Sequence, residues 1–179
     1  MLSDLKGVIE KLSDQIRRNP RDAKAYFERG WAESELGDYK SAVEDYKKAI
    51  KFLPDYPEAY YNRALALAKL AKYRNAISDL DIVIRHAAAN RVIELSDAYF
   101  HRAIAKATLG KLKDAKADYD KVLAIKSDDG LAWCNRGHLK FALGDYKGAL
   151  MDWGKAIKYA RGLKDQLQPH INEAMAKIK

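Results

Sequence analysis

Apolar residues recur along this chain at helical spacing, and the pattern itself recurs. In residues 3–18, Leu5, Val8, Ile9, Leu12 and Ile16 fall on one face of a helix. From residue 23 onward four segments repeat one another. Ala25, Ala59, Ala98 and Ala132 mark the same place in each, as do Leu36, Leu70, Leu109 and Leu143, and Ala42, Ala76, Ala115 and Ala149. Aromatics keep the register at Tyr26, Tyr60, Tyr99 and Trp133. The interval is 34 residues, then 39, then 34 again. A fixed period of this size predicts stacked supersecondary units, each too small to bury its apolar face alone. Such stacks present extended surfaces rather than enclosed catalytic clefts.

Each unit reads as two helices. In the first unit, residues 23–36 contain no proline and stop at Gly37-Asp38. Glycine takes the left-handed conformation that ends a helix, and Asp38 can cap the next one. The second helix runs over about 39–53 and ends at Pro54. Gly110-Lys111 and Gly144-Asp145 repeat the turn, whereas the second unit has Ala71-Lys72 and specifies it less well. Five extra residues fall within 86–96, where the second helix is expected to run on. Beyond residue 162, Leu167, Ile171, Met175 and Ile178 predict a final helix, with Pro169 in its first turn.

With Ala23 as position 1, position 4 is aromatic (Tyr26), positions 8, 20 and 27 are small (Gly30, Ala42, Ala49), position 24 is large (Tyr46) and position 32 is Pro54. The later units give Tyr60, Ala64, Ala76, Leu80 and Val83; Tyr99, Ala103, Ala115, Tyr119 and Val122; Trp133, Gly137, Ala149, Trp153 and Ala156. Small residues are needed where two helices approach closely, and large ones fill the gap that remains. In these positions the chain resembles the tetratricopeptide repeat (TPR) family. The resemblance implies an all-α fold, a right-handed superhelical α-solenoid of helix-turn-helix repeats. The expected organisation is a half-repeat or capping helix over 1–22, repeats over 23–56, 57–95 (with the short insertion), 96–129 and 130–162, and a capping helix over 163–179. Pro20 falls at position 32, Val8 at 20 and Leu12 at 24 of a preceding unit. Residues 1–22 are therefore either an N-terminal cap or the edge of a longer array.

Two departures from the family pattern repeat in every unit. Position 7, usually Leu, is Arg29, Arg63, Arg102 and Arg136, and position 23 is Asp45, Asp79, Asp118 and Asp152. Position 7 lies beside core positions, where an unpaired charge carries several kcal/mol of desolvation cost. Each Arg is expected to pair with an Asp.

Composition narrows the function classes. The formal net charge is +8, with basic clusters at Arg17, Arg18, Arg21 and Lys24 and at Lys155, Lys158, Arg161 and Lys164. The basic residues are interleaved with acids and match no nucleic-acid fingerprint, so a solvated helix surface is the simpler account. No phosphate loop, nucleophile elbow or metal-ligand spacing is present, which predicts no enzyme, no cofactor and no metal. The lone Cys134 fits a reducing compartment. No apolar run is long enough for a membrane span. Cytoplasmic placement follows as the expectation; a segment removed before residue 1 would leave no trace here.

On each first helix, positions 5, 9 and 12 form a stripe separate from the packing positions 4, 8 and 11. The stripe reads Phe27, Trp31, Ser34; Tyr61, Leu65, Ala68; Phe100, Ile104, Ala107; Cys134, His138, Phe141. A helix apolar on two sides needs two partners. Position 6 adds Glu28, Asn62, His101 and Asn135. The resemblance implies that positions 2, 5, 6, 9, 12 and 13 line a concave groove for peptides or helices, and that Asn62 and Asn135 could hold a ligand backbone. The candidate groove is Phe27, Glu28, Trp31, Tyr61, Asn62, Leu65, Phe100, His101, Ile104, Asn135, His138 and Phe141. The family's clamp for chaperone C-terminal carboxylates would need Lys, Asn, Asn, Lys and a basic residue where this chain has Phe27, Trp31, Asn62, Asp97 and His101. Only Asn62 agrees, so that partner is not expected. The sequence reading is thus a non-catalytic protein–protein interaction module without a small-molecule substrate. The alternatives are an architectural segment that self-associates, as a homodimer through its terminal helices, and a basic surface for nucleic acid or another polyanion.

Overall fold

The computed structural model describes residues 2–87 and 95–178. The described residues form helices joined by short turns: α1 (Leu2–Arg18), α2 (Ala23–Glu35), α3 (Tyr39–Phe52), α4 (Pro57–Lys69), α5 (Tyr73–Ala87), α6 (Leu95–Thr108), α7 (Leu112–Ile125), α8 (Gly130–Ala142), α9 (Tyr146–Tyr159) and α10 (Lys164–Ile178). The extra residues expected between the second and third repeats, 88–94, lie outside the described residues. None of the helices is long and apolar enough to cross a membrane.

The chain divides into two compact units, residues 1–94 and 95–179. In the first, α2 pairs with α3 and α4 with α5, α1 packs on α2, and α3 packs on α4. In the second, α6 pairs with α7 and α8 with α9, α7 packs on α8, and α10 closes on α9. Each hairpin is held by the small-against-large register. Gly30 lies against buried Tyr46, where an added Cβ would come within 3.1 Å of the ring. Gly137 lies closer still to buried Trp153, at 2.5 Å for the same hypothetical Cβ. Ala64 stands at this position opposite the smaller Leu80, and Ala103 opposite Tyr119. A small residue thus faces each large one, as close packing demands.

The helix ends follow their local chemistry. Asp22, Asp38, Asp129 and Asp145 each accept a backbone N–H three residues on. Gly37, Gly110 and Gly144 are left-handed, with φ of 82°, 75° and 83°. Ala71 adopts the same conformation at φ 57°. Its turn makes the same bonds as the others: Lys72 N–H donates to Leu67 O at 2.8 Å, as Asp38 N–H does to Glu33 O at 2.9 Å. The stack dictates the turn even where the residue opposes it.

The C-terminal helix corrects one expectation. Pro169 lies inside α10, not in its first turn, because a 3-10 turn over Arg161–Leu163 comes first and α10 starts at Lys164. Proline lacks the N–H that would donate to Asp165 O, and the helix continues because Leu167, Ile171 and Ala174 anchor it to the core of the second unit.

Every expected Arg–Asp pair is present and bidentate. Nε and Nη2 donate to the two carboxylate oxygens at 2.6 and 2.8 Å for Arg29–Asp45, and at 2.8 and 2.7 Å for Arg63–Asp79. The distances are 2.9 and 2.6 Å for Arg102–Asp118, and 2.7 and 2.8 Å for Arg136–Asp152. Each guanidinium also lies over the aromatic at position 4, from 5.7 Å at Tyr26 down to 4.5 Å at Trp133. The Asp residues are buried. Arg replaces the family's Leu because its stem packs and its planar head meets carboxylate and ring together.

Candidate functional site

None of the twelve candidate groove residues is buried. Their surroundings separate them into groups. Trp31, on α2, is 46% exposed. Asn62 and Leu65, on α4, line the same cleft of about 200 Å³. Ser34, Glu35, Tyr39 and Lys69 complete the walls. The cleft forms because α2 and α4 touch directly and present their position-9 residues toward each other. It offers an indole face, an aliphatic wall, an amide and one charge of each sign.

Phe27 stands one turn before Trp31 but is spent on packing. Its ring lies 4.9 Å from Tyr56 and 5.8 Å from Tyr46. Glu28 is held by Lys24 at 3.7 Å on an exposed flank. Tyr61 is half-buried. Asn62 donates from Nδ2 to its own helix at Glu58 O, 2.9 Å away.

The remaining candidates belong to the second unit. Ile104 is exposed on α6, while Phe100 packs edge-on against Tyr119 at 5.5 Å and against His101 at 5.8 Å. On α8, His138 and Phe141 turn inward. Phe141 contacts Tyr146 at 5.2 Å and Trp153 at 5.8 Å. His138 lies 5.3 Å from Trp153 and 5.0 Å from His170 of α10, and its Nδ1 faces Cys134 Sγ at 3.8 Å. Burial, and then the neighbouring His170, hold the His138 imidazole below its ordinary pKa. Burial likewise pushes the Cys134 thiol up, away from a reactive thiolate. Asn135 lies beside the hydroxyl of buried Tyr119. The cap helix therefore occupies the side of α8 that a ligand would need, and the open stripe of this unit is carried by α6.

Glu35 and Lys69 were absent from the sequence candidates. Both stand at position 13, one turn beyond position 9, and the helical spacing alone could have placed them.

Two family models match the chain, one for the TPR repeat over residues 32–71 and one for the tetratricopeptide repeat over 100–163. The solved structure titled "First TPR of Spaghetti (RPAP3) bound to HSP90 peptide SRMEEVD" is 31% identical, over 68% of this chain and 93% of that one, with a TM-score of 0.61. The chain belongs to the tetratricopeptide repeat family. Other TPR proteins agree more closely in fold and less in sequence. MamA from Desulfovibrio magneticus RS-1 has a TM-score of 0.81 at 22% identity, covering 88% of this chain and 86% of that one. YrrB, "a TPR protein with an unusual peptide-binding site", has 0.79 at 19%, covering 89% and 79%. No curated protein sequence matches the chain. TPR proteins are protein–protein interaction modules, and the fold and family of this chain carry that coarse assignment.

Proposed function

We propose that this TPR protein is a non-catalytic module that binds a peptide segment or partner helix on its first-helix faces, with the Trp31 cleft as the anchor. The observation that carries this reading is the exposed Trp31 indole beside Leu65 and Asn62. Buried Trp is the most frequent kind of binding hot spot, because it covers much area at little entropic cost. Asn62 adds a carbonyl that can accept from a ligand backbone, and Glu35 and Lys69 can orient a polar end. On the second unit, Ile104 with the half-exposed Phe100 and His101 offers a further contact.

Chaperone C-termini are not the partner in this reading. Phe27 and Trp31 stand where that clamp needs Lys and Asn, and Asp97 would repel a terminal carboxylate. The peptide SRMEEVD should accordingly show no saturable binding.

The test is selection of random peptides on the immobilised chain, followed by affinity measurement with Trp31→Ala. Trp133 and Trp153 are buried, so quenching or a shift of tryptophan emission reports on Trp31. Selected peptides should lose about tenfold or more in affinity, the loss of a hot spot, with the melting temperature unchanged. A destabilised variant that still captures its peptides would assign Trp31 to the core and remove the reading.

A further inference from the structure

The Trp31 cleft carries two charges that the fold itself does not use. Glu35 is the last residue of α2 and Lys69 the last of α4. Both stand at position 13 of their repeats, both are exposed, and both line the cleft. Among the described residues neither side chain makes an ion pair or a hydrogen bond, with the other or with any neighbour. Lys69 suits its place, because a cation at a helix C-terminus meets the negative end of the dipole. Glu35 does not: a carboxylate there meets its own sign, and no basic residue in the last turn of α2 offsets it. The corresponding residues of the second unit, Thr108 and Ala142, carry no charge. Helix formation thus gives no account of Glu35.

Trp31 and Leu65 stand at position 9, one turn before the two charges. The α2 wall of the cleft therefore ends in an anion and the α4 wall in a cation. The cleft volume of about 200 Å³ is smaller than one turn of a helix, which measures about 10–12 Å across with its side chains. It admits a side chain, not a helix. Axes of packed helices lie about 8–10 Å apart. Alternate side chains of an extended chain share one face at intervals of about 6.6 Å. In a segment that crosses from α2 to α4, the outer two of three alternate side chains straddle both walls.

We infer that the cleft selects an extended peptide segment in which an apolar residue is flanked, at alternate positions, by a base on one side and an acid on the other. The apolar side chain seats between Trp31 and Leu65, the base meets Glu35 and the acid meets Lys69. A segment with two acids would set a like charge against Glu35, and one with two bases would do the same at Lys69. This local pattern opposes the net charge of +8, which by itself favours acids at long range. Such selectivity rests on the Trp31 cleft being a peptide site, as proposed above.

The test uses the ¹⁵N-labelled full chain and three capped peptides. Each has a central phenylalanine with a serine on either side; beyond the serines stand lysine and glutamate, two lysines, or two glutamates. Tryptophan quenching and amide shifts at Trp31, Leu65 and Lys69 give the affinities at constant ionic strength. The native chain should bind the mixed peptide about threefold or more tighter than either of the others, the weight of exposed charge pairs. Glu35→Lys should turn the preference to two glutamates, and Lys69→Glu should turn it to two lysines. The second reversal runs against attraction by net charge, which stays positive in that variant. A ranking by peptide charge alone in the native chain and both variants, or a preference unchanged in either variant, would overturn the assignment. If Trp31→Ala still abolished such binding, the peptide site itself would stand and only its charge selectivity would fall. Saturable binding by none of the three peptides would overturn the assignment as well.

Discussion

Position 11 of the repeat shows how one side chain alters a shared device. In the second unit this position is Lys106 and Lys140, which reach Asp118 and Asp152 at 2.7 and 3.0 Å and add a second cation to each clamp. In the first repeat it is Glu33, a carboxylate beside the carboxylate of Asp45. Arg29 is already committed to Asp45 and Ser13 and lies 4.0 Å from Glu33. The second oxygen of Glu33 is buried without a partner among the described residues. Burial first, and then the charge of Asp45, push its carboxyl up to about 7. In the unfolded chain it ionises near the ordinary 4.5. Between these values the folded chain holds a proton that the unfolded chain has released, so stability falls as pH rises from about 4.5 to about 7. Below that window the penalty is absent, and above it the penalty is complete. Glu33→Gln should therefore raise stability by on the order of 2 kcal/mol at pH about 8 and by almost nothing at pH about 4. Urea midpoints at the two pH values measure this. An equal gain at both would trace the effect to packing rather than ionisation.

At the scale of helices and turns, the exceptional feature is Ala71, left-handed where the other three hairpins have glycine. A residue with a Cβ gives up about 1–2 kcal/mol in that conformation, and glycine returns part of it through its freer unfolded state. Ala71→Gly should stabilise the first unit by about 0.5–1 kcal/mol, read as a raised melting temperature. Gly37→Ala should do the reverse by a similar amount. The helix hairpins were legible in the sequence because glycine, aspartate and the small-large register act locally and repeat. The Arg–Asp clamps were legible for the same reason, since a buried charge type that recurs with its opposite implies a pair. Pro169 was misplaced because proline's preference for a first turn was applied to it, whereas α10 starts five residues earlier, at Lys164. Phe27, His138 and Phe141 read as groove residues on spacing alone. Part of each is covered, by Tyr56, by His170 of α10 and by Tyr146 and Trp153 of α9, and that cover is tertiary.

At the scale of the whole molecule, stacking leaves each end with an apolar face that one more helix must cover. In the second unit α10 does this with Leu167 and Ala174 buried and Ile171 partly so, while Met175 and Ile178 remain exposed. His170 lies 5.9 Å from Trp153, which is fully buried under this cover. A chain ending before residue 164 should show red-shifted tryptophan emission from Trp153 and a lower melting temperature. Unchanged emission would mean that α9 and α8 shield the indole by themselves. The Trp31 cleft sets Glu35 against Lys69.

The clamps have a consequence for how the chain comes together. All four link residues sixteen apart, so each closes a loop of the same modest length. The entropy lost in closing it is nearly identical every time, and no clamp waits for a distant segment to arrive. A chain built this way has low contact order and can begin folding in any hairpin before neighbours add on either side. Ribosomal synthesis would then complete each ionic lock as soon as its own two helices have emerged, without the rest of the protein.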